Sequence, residues 1–359
     1  MSVSDPNRPA VSIIVPARNE EACLGRCLES LTQQRGISFE IIVVDDGSTD
    51  GTRKIAESFL GLRVVDAAPL SAGWSGKTNA MRTGAYVAQG EWLLFTDADT
   101  LHLPGSLFRA VAEAKQHGAT LLSYSPEQEV HGFWQKAVMP VIFAELAATY
   151  KPSRVSNPAS PSAAANGQYL LISREAYDAV GGHAAIASSL LEDVVLARRV
   201  KASGRKIFFR FGGDAVRTRM YRSFSELRDG WTKNLALLFP SAARLATMRF
   251  LESLLIAGSL AELVFGLSEG RTRVAIGSGI VALLLLTSFF ARIRKAHFSW
   301  DADALSFLGL PLFSYLLLRS RLFHKKGRVT WKGRQYQGLS PRHSAQSVPP
   351  QDSATSWSI

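Results

Sequence analysis

Cysteine is nearly missing from this chain, with two among 359 residues. Cys23 and Cys27 stand four apart on one expected helix without the further ligands a zinc site needs. Neither a disulfide scaffold nor structural zinc is indicated, and the thiols fit a reducing compartment. The opening residues hold no apolar stretch, so no secretory signal is expected and the first domain is expected to stay in the cytosol. Two phosphate-binding signatures are missing as well. No Gly-x-Gly-x-x-Gly follows the first strand. Gly76-Lys77 fits the second half of a Walker loop, but Ser71 stands where that loop needs its first glycine. This argues against a dinucleotide oxidoreductase and a P-loop nucleotidase. Acids are in deficit, 30 against 41 basic residues, for a formal charge of +11. That balance calls for an acidic partner, with nucleic acid, anionic membrane and phosphorylated substrate all open on charge alone.

What is present is organised around Trp92-Leu-Leu-Phe-Thr-Asp-Ala-Asp-Thr100. An apolar run ending in Asp97 and Asp99 predicts a buried strand whose C-terminal end presents two carboxylates. Residues at i and i+2 point the same way, so these acids repel each other unless a cation lies beside them. A hard divalent ion that also keeps water and substrate phosphates is the natural filler; the alternative is a solvated turn. Residues 11–15, 40–44 and 63–65 predict earlier strands, with helices between, and residues 70–77 a glycine-bearing loop ahead of a helix. A helix over 104–117 and a strand over 120–123 follow. Alternating strands and helices imply an α/β fold with a mostly parallel, helix-covered sheet. Asp45 and Asp46 after the second strand, and Glu192 and Asp193 at a helix start, are expected to share one cleft with Asp97 and Asp99.

Beyond Ser125 the texture changes. Residues 131–143 are apolar but too short to span a bilayer, which leaves a helix on the membrane surface or a core helix interrupted by Pro140. Residues 151–165, rich in Pro, Ser, Asn and Ala, predict a long loop acting as a mobile flap. A strand over 166–173 and a helix over 174–180, broken by Gly181-Gly-His183, come next. From Phe250 the composition is that of a membrane protein. Residues 250–268 are apolar apart from Glu252 and Glu262, and residues 274–291 supply 18 positions without a charge. Residues 304–318 supply 15 around Pro311, short for a span, and predict a re-entrant or interfacial segment. Arg292, Arg294 and Lys295 follow the second run; Arg319, Arg321, Lys325, Lys326 and Arg328 close the third. The positive-inside rule puts both groups in the cytosol, giving two spanning helices in the inner or plasma membrane. The expected division is a disordered N-terminus over 1–10, an α/β domain over 11–243, membrane helices over 244–325, and a basic then disordered tail over 326–359.

Four motifs in order, Val15-Pro-Ala-Arg-Asn-Glu20, Val44-Asp-Asp-Gly-Ser-Thr-Asp-Gly-Thr52, Thr96-Asp-Ala-Asp99 and Leu191-Glu-Asp193, resemble the GT-A-fold glycosyltransferases of family 2. The resemblance implies a Rossmann-like GT-A sheet binding a nucleotide-diphosphate sugar, a UDP-sugar favoured. It implies that Pro16, Ala17, Arg18, Glu20, Asp45, Asp46, Lys77 and Asp97 form the donor site, with Glu20, Asp45 and Asp46 near base and ribose. It makes Asp97 and Asp99 the motif for Mn2+ or Mg2+, Asp99 the direct ligand, and Asp193, beside Glu192, the general base. A metal on the diphosphate would neutralise the leaving group, and a carboxylate across the sugar would take the acceptor's proton. Local roles compete: helix-start acid for Glu20, turn or cap for Asp45 and Asp46, dipole-favoured acids for Glu192 and Asp193, solvated charge for Lys77.

Gly73-Trp-Ser-Gly-Lys77, Gly181-Gly-His183, Arg219-Met-Tyr221, Gly230-Trp-Thr-Lys-Asn234 and Val329-Thr-Trp-Lys-Gly-Arg-Gln-Tyr336 resemble membrane-associated members linked with carotenoid and hopanoid pathways. The Gln-x-x-Arg-Trp of processive synthases is absent, which argues for transfer of a single sugar. His183, Trp231 and Lys233 are placed beside the acceptor by this resemblance, although packing and snorkelling explain them as well. Trp331, Lys332 and Arg334 equally suit a lipid-headgroup patch. The implied activity is inverting, non-processive transfer to a hydroxyl or carboxyl of a membrane lipid, an isoprenoid-type acceptor favoured, with no nucleic acid partner. Polyprenyl phosphate as acceptor, or a non-catalytic nucleotide-sugar-binding scaffold, are the alternatives.

Overall fold

The computed structural model describes residues 8–331 and 334–336; the expected disordered tail over 340–359 and Lys332 lie outside them. Elements β1 (Val11–Ala17), α1 (Leu24–Thr32), β2 (Phe39–Asp45), α2 (Thr52–Glu57), β3 (Leu62–Asp66), α3 (Gly76–Val87) and β4 (Trp92–Phe95) alternate as the residue pattern predicts. Next come β5 (Thr100–His102), α4 (Ser106–Gln116), β6 (Leu121–Ser125), β7 (Glu127–Gln128), α5 (Gly132–Thr149) and α6 (Pro152–Val155). The domain closes with β8 (Leu170–Ser173), α7 (Arg174–Ala179), α8 (Glu192–Ala202), β9 (Ile207–Phe211), β10 (Val216–Thr218) and α9 (Phe224–Leu238).

The main sheet runs β3-β2-β1-β4-β8-β6-β9, and only β8 is antiparallel to its neighbours. Its β-branched runs alternate between two cores, as the period of a strand requires. Ile14, Ile42, Val44, Leu93 and Phe95 pack with Met81 of α3 and Leu196 of α8. Ile13, Val15, Ile41, Val43 and Leu94 pack on the other face with Leu24 and Leu28 of α1 and Leu107 and Val111 of α4. Full burial of each such side chain is worth about 1.5–3 kcal/mol. A second, three-stranded sheet of β5, β10 and β7 sits beside the end of β4.

Three expectations need correction. Residues 132–149 form one continuous helix with Pro140 inside it, and Val138, Met139, Val141 and Ile142 are buried, so the membrane-surface reading is wrong. The loop expected over 151–165 opens with a helical turn and is tied to α8. Residues 152–155 are helical, and Lys201 Nζ donates to the carbonyls of Val155 and Ser162, both at 2.6 Å. The strand expected from 166 begins only at Leu170, because Asn166 turns the chain first: its Oδ1 accepts from Gln168 N at 2.9 Å and its carbonyl from Tyr169 N at 3.0 Å.

The C-terminal region holds α10 (Ala242–Ser268), α11 (Thr272–Ile293), α12 (Trp300–Leu305) and α13 (Gly309–Lys325), then the hairpin strands β11 (Val329–Trp331) and β12 (Arg334–Tyr336). Among the described residues, three helical runs are long and apolar enough to cross a membrane: 242–268, 272–296 and 300–325. The first two present exposed Leu254, Leu255, Phe265, Ile276, Ile280, Leu283 and Leu284. The third is longer than the residue pattern implied, since Pro311 falls in the first turn of α13, where a missing N–H costs nothing. It also packs differently. A Cβ on Gly309 would collide with the Ala137 carbonyl of α5, and at the other end Ser320 Oγ donates to Thr232 O of α9 at 2.6 Å. Phe313, Leu316 and Leu317 join Val138, Ile142 and Trp231 in a third core that ties the α/β domain to the C-terminal apolar helices.

Candidate active site

The turn after β1 places Arg18 and Glu20. Asn19 adopts a left-handed φ of 53°, tolerable for asparagine, and its Oδ1 accepts from Thr49 N at 2.9 Å, locking this turn to the loop after β2. That loop separates the paired aspartates. Asp45, the last residue of β2, turns to its own loop, where its Oδ1 accepts from Ser48 N at 3.1 Å and its carboxylate lies 3.7 Å from Arg53. Asp46 faces a cavity, held by Arg18, which donates to its carbonyl, and by Arg334, whose Nη2 donates to its Oδ1 at 3.0 Å.

That cavity has a volume of about 1770 Å³. Pro16, Ala17, Arg18, Glu20, Asp46, Lys77, Asp97, Asp99, Glu192, Asp193, Trp231 and Lys233 line it. The acid clusters, distant in the chain, therefore meet around one hollow. Asp97 and Asp99 follow β4 in a loop held from both sides: Thr96 Oγ1 donates to Gln168 O at 2.8 Å, and Thr218 Oγ1 of β10 donates to Asp99 O at 3.3 Å. Lys77, in the first turn of α3, is neither a solvated charge nor a Walker lysine. Its Nζ lies 2.7 Å from Asp97 Oδ1 and 2.8 Å from Glu192 Oε1, joining two of the clusters.

Burial works against charge throughout this site, and the outcome differs by partner. Burial opposes ionisation of Lys77, but Asp97 and Glu192 outweigh it and hold the ammonium well above its usual range. Burial likewise disfavours the Glu192 carboxylate, yet Lys77 and Lys233 prevail and keep it below the ordinary value. Lys233 is pushed down, chiefly by burial. Asp193 is pushed up to about 6, by burial first and the Glu192 charge second. Its orientation is fixed, because Gly167 N donates to Oδ2 and Val194 N to Oδ1, each at 2.8 Å. Neighbouring carboxylates thus carry different protonation habits, as an acid–base site requires.

Two expected residues stand apart from the cavity. Asp45 serves its turn. His183 is 2% exposed, with Nδ1 sharing a hydrogen bond of 2.9 Å with Tyr177 Oη and its ring edge-on to Phe95 at 4.6 Å. Burial pushes it down to about 4, so it is a neutral packing residue and does not border an acceptor. Trp231 reaches the cavity wall but is 2% exposed, its indole N–H directed at Met139 Sδ, so packing accounts for most of it. Arg334 departs from the headgroup reading, since it sits on Asp46. Asn166, Gly167 and Arg219 also line the hollow. The Asn-Gly pair makes the turn that precedes β8.

Metal fit can be judged from the donors. Among the described residues, no group of three or more His, Cys, Asp or Glu side chains forms a cage. Of the carboxylates that line the cavity, Asp97 and Asp99 stand two residues apart after β4, a pair that suits a hard divalent ion completing its shell with water and substrate phosphate.

Residues 12–181 match the family model for glycosyl transferase family 2. The chain is a glycosyltransferase with a family 2 domain. It is 29% identical over 345 residues to a 4,4'-diaponeurosporenoate glycosyltransferase of Staphylococcus aureus (strain MRSA252), covering 92% of this chain and 89% of that one. Among solved structures it is similar to a mannosyltransferase from Pyrobaculum calidifontis in complex with GDP-Man and Mn2+, with a TM-score of 0.54 at 18% identity, covering 89% of this chain and 87% of that one. The fold is GT-A, as the four motifs imply, and this glycosyltransferase transfers a glycosyl group from a nucleotide sugar.

Proposed function

We propose that this glycosyltransferase moves one sugar from a nucleoside diphosphate to a hydroxyl or carboxyl of a membrane lipid, by a single inverting displacement at the cytoplasmic face. The observation that carries this reading is the reach of the cavity. Its lining joins the acids Asp46, Asp97, Asp99 and Asp193 to Phe143 and Leu146 of α5 and to Ser288, Ala291 and Arg292 at the end of α11. A volume of about 1770 Å³ exceeds the roughly 300–1,000 Å³ of a single-ligand site and suits a polar donor and an apolar acceptor together. A relative named for diaponeurosporenoate, a carotenoid carboxylate, agrees with such an acceptor.

In this reading Asp193 Oδ takes the proton of an acceptor hydroxyl as the new C–O bond forms at the anomeric carbon and the nucleoside diphosphate departs. Asp97 and Asp99 would hold the divalent ion, which when bound supplies charge neutralisation for the leaving diphosphate. Lys77 offsets the repulsion between Asp97 and Glu192 and holds them together, and Gly167 N aims Asp193.

The test is incubation of purified protein with UDP- and GDP-sugars, Mn2+ or Mg2+, and a membrane lipid extract, with mass spectrometry of the lipid product. A lipid one sugar heavier, abolished in a folded D99A variant, is the expected result. A product on polyprenyl phosphate would replace the acceptor, and nucleotide-sugar binding without any product would refute the catalytic reading.

A further inference from the structure

We infer that Arg334 belongs to the donor site, where it binds the nucleoside diphosphate and offsets the charge of Asp46. The inference rests on the donor reading above. Arg334 stands on β12, beyond the last membrane helix and 288 positions from its partner. It nevertheless reaches the cavity wall and grips Asp46 through both Nη atoms.

The route is built, not incidental. α13 is fastened to α9 by three contacts along its last turns: Arg319 Nε donates to Thr232 Oγ1 at 3.0 Å, Ser320 Oγ to Thr232 O at 2.6 Å, and His324 Nε2 lies 2.8 Å from Lys233 O. β11 then packs along α9, which delivers the hairpin to the cavity. The receiving wall is shaped for the guanidinium as well. A Cβ at Gly76, the first residue of α3, would collide with Arg334 Nη1 and lie 2.6 Å from Asp46 Oδ2, so the guanidinium in this pose rests directly against the glycine.

The chemistry then follows from charge. Asp46 is 8% exposed at the rim of a hollow that also holds Asp97, Asp99 and Glu192. An anionic diphosphate nearing so many carboxylates is repelled unless cations stand beside them. A guanidinium locked edge-on to Asp46 cancels that charge, and its planar, permanently ionised fork is suited to phosphate oxygens and to stacking on a base.

The test titrates UDP and GDP by calorimetry into the full-length protein in detergent, for wild type, R334A, R334K and D46N/R334A. R334A should weaken whichever nucleotide the wild type binds by about tenfold or more, the loss of a charge-assisted contact, and R334K by less. Donor KM should rise in R334A while acceptor KM stays unchanged, which a merely structural role would not produce. The double variant should lose less than the product of the two single losses, with D46N measured alongside. Wild-type affinity, or tighter binding, in both R334A and R334K overturns the inference alone. Failure of the wild type to bind either nucleotide overturns the donor reading and this inference with it.

Discussion

Lys77 and Asp193 show how a few side chains divide the labour of a buried polar cleft. Lys77 bridges Asp97 and Glu192, and Asp193, facing the Glu192 charge and little water, is pushed up to about 6. A base must be ionised to accept a proton, so transfer to a hydroxyl acceptor should fall as pH drops below about 6. Glu192→Gln removes a negative neighbour and should move that limb to lower pH; a pH–rate profile with an unmoved limb would contradict the assignment. Asp193→Asn should cost about a hundredfold or more with a hydroxyl acceptor. With a carboxylate acceptor, already ionised, the loss should be small, so product formation by this variant on the two kinds of lipid tells the acceptors apart. Which acids would meet was legible in the residue order, because pairs at the ends of strands and helices of one sheet converge. Which member of a pair faces inward was not. Asp45 and Asp46 are adjacent, and the last residue of β2 and the first of its loop point to opposite sides. His183 is set beside the acceptor by resemblance alone, and nothing local in the sequence announces that Tyr177 and Phe95 enclose it.

Elements with a full period of apolar residues were readable, and those without were not. The alternation in β1, β2 and β4 and the apolar face of α1 are long enough to specify their sides. Strands β5, β7 and β10 have two or three residues each and owe their existence to one another, so no window of residues could reveal them. The segment after α6 is the instructive case. Its composition is that of a loop, and so it is, but Lys201 on α8 supplies donors to carbonyls at both of its ends. Lys201→Met should release it. Hydrogen exchange across residues 156–165 should quicken by about tenfold, on the order of one lost charged hydrogen bond, while exchange in β1 and β4 stays as it was. Equal protection in the variant would show that the lysine is incidental.

For the molecule as a whole, the three apolar helical runs fall into two kinds. α10 and α11 have 27 and 22 residues, about 40 and 33 Å at 1.5 Å per residue, and they display apolar side chains on their outer faces. At their shared end, Arg249 and Arg292 pair with Glu252 and Glu145, which fixes the hairpin to α5 of the catalytic domain. α13 touches that domain at both ends, a geometry suited to lying along it and not to crossing. We therefore expect one hairpin through the bilayer, its tip at residues 269–271 on the far side from the active site. A Gly270→Cys variant should react with a membrane-impermeant maleimide in intact cells, while a tag placed after Ile359 stays protected; the reverse pattern, or labelling of both, would exclude it.

Chain order adds a consequence in time. Arg334 is synthesised after all three long apolar helical runs, so a polypeptide still on the ribosome has every acid that lines the cavity before it has the cation that offsets Asp46. On this account a copy clipped ahead of residue 329 would hold its donor about tenfold more weakly than the full-length chain, the same loss expected of R334A.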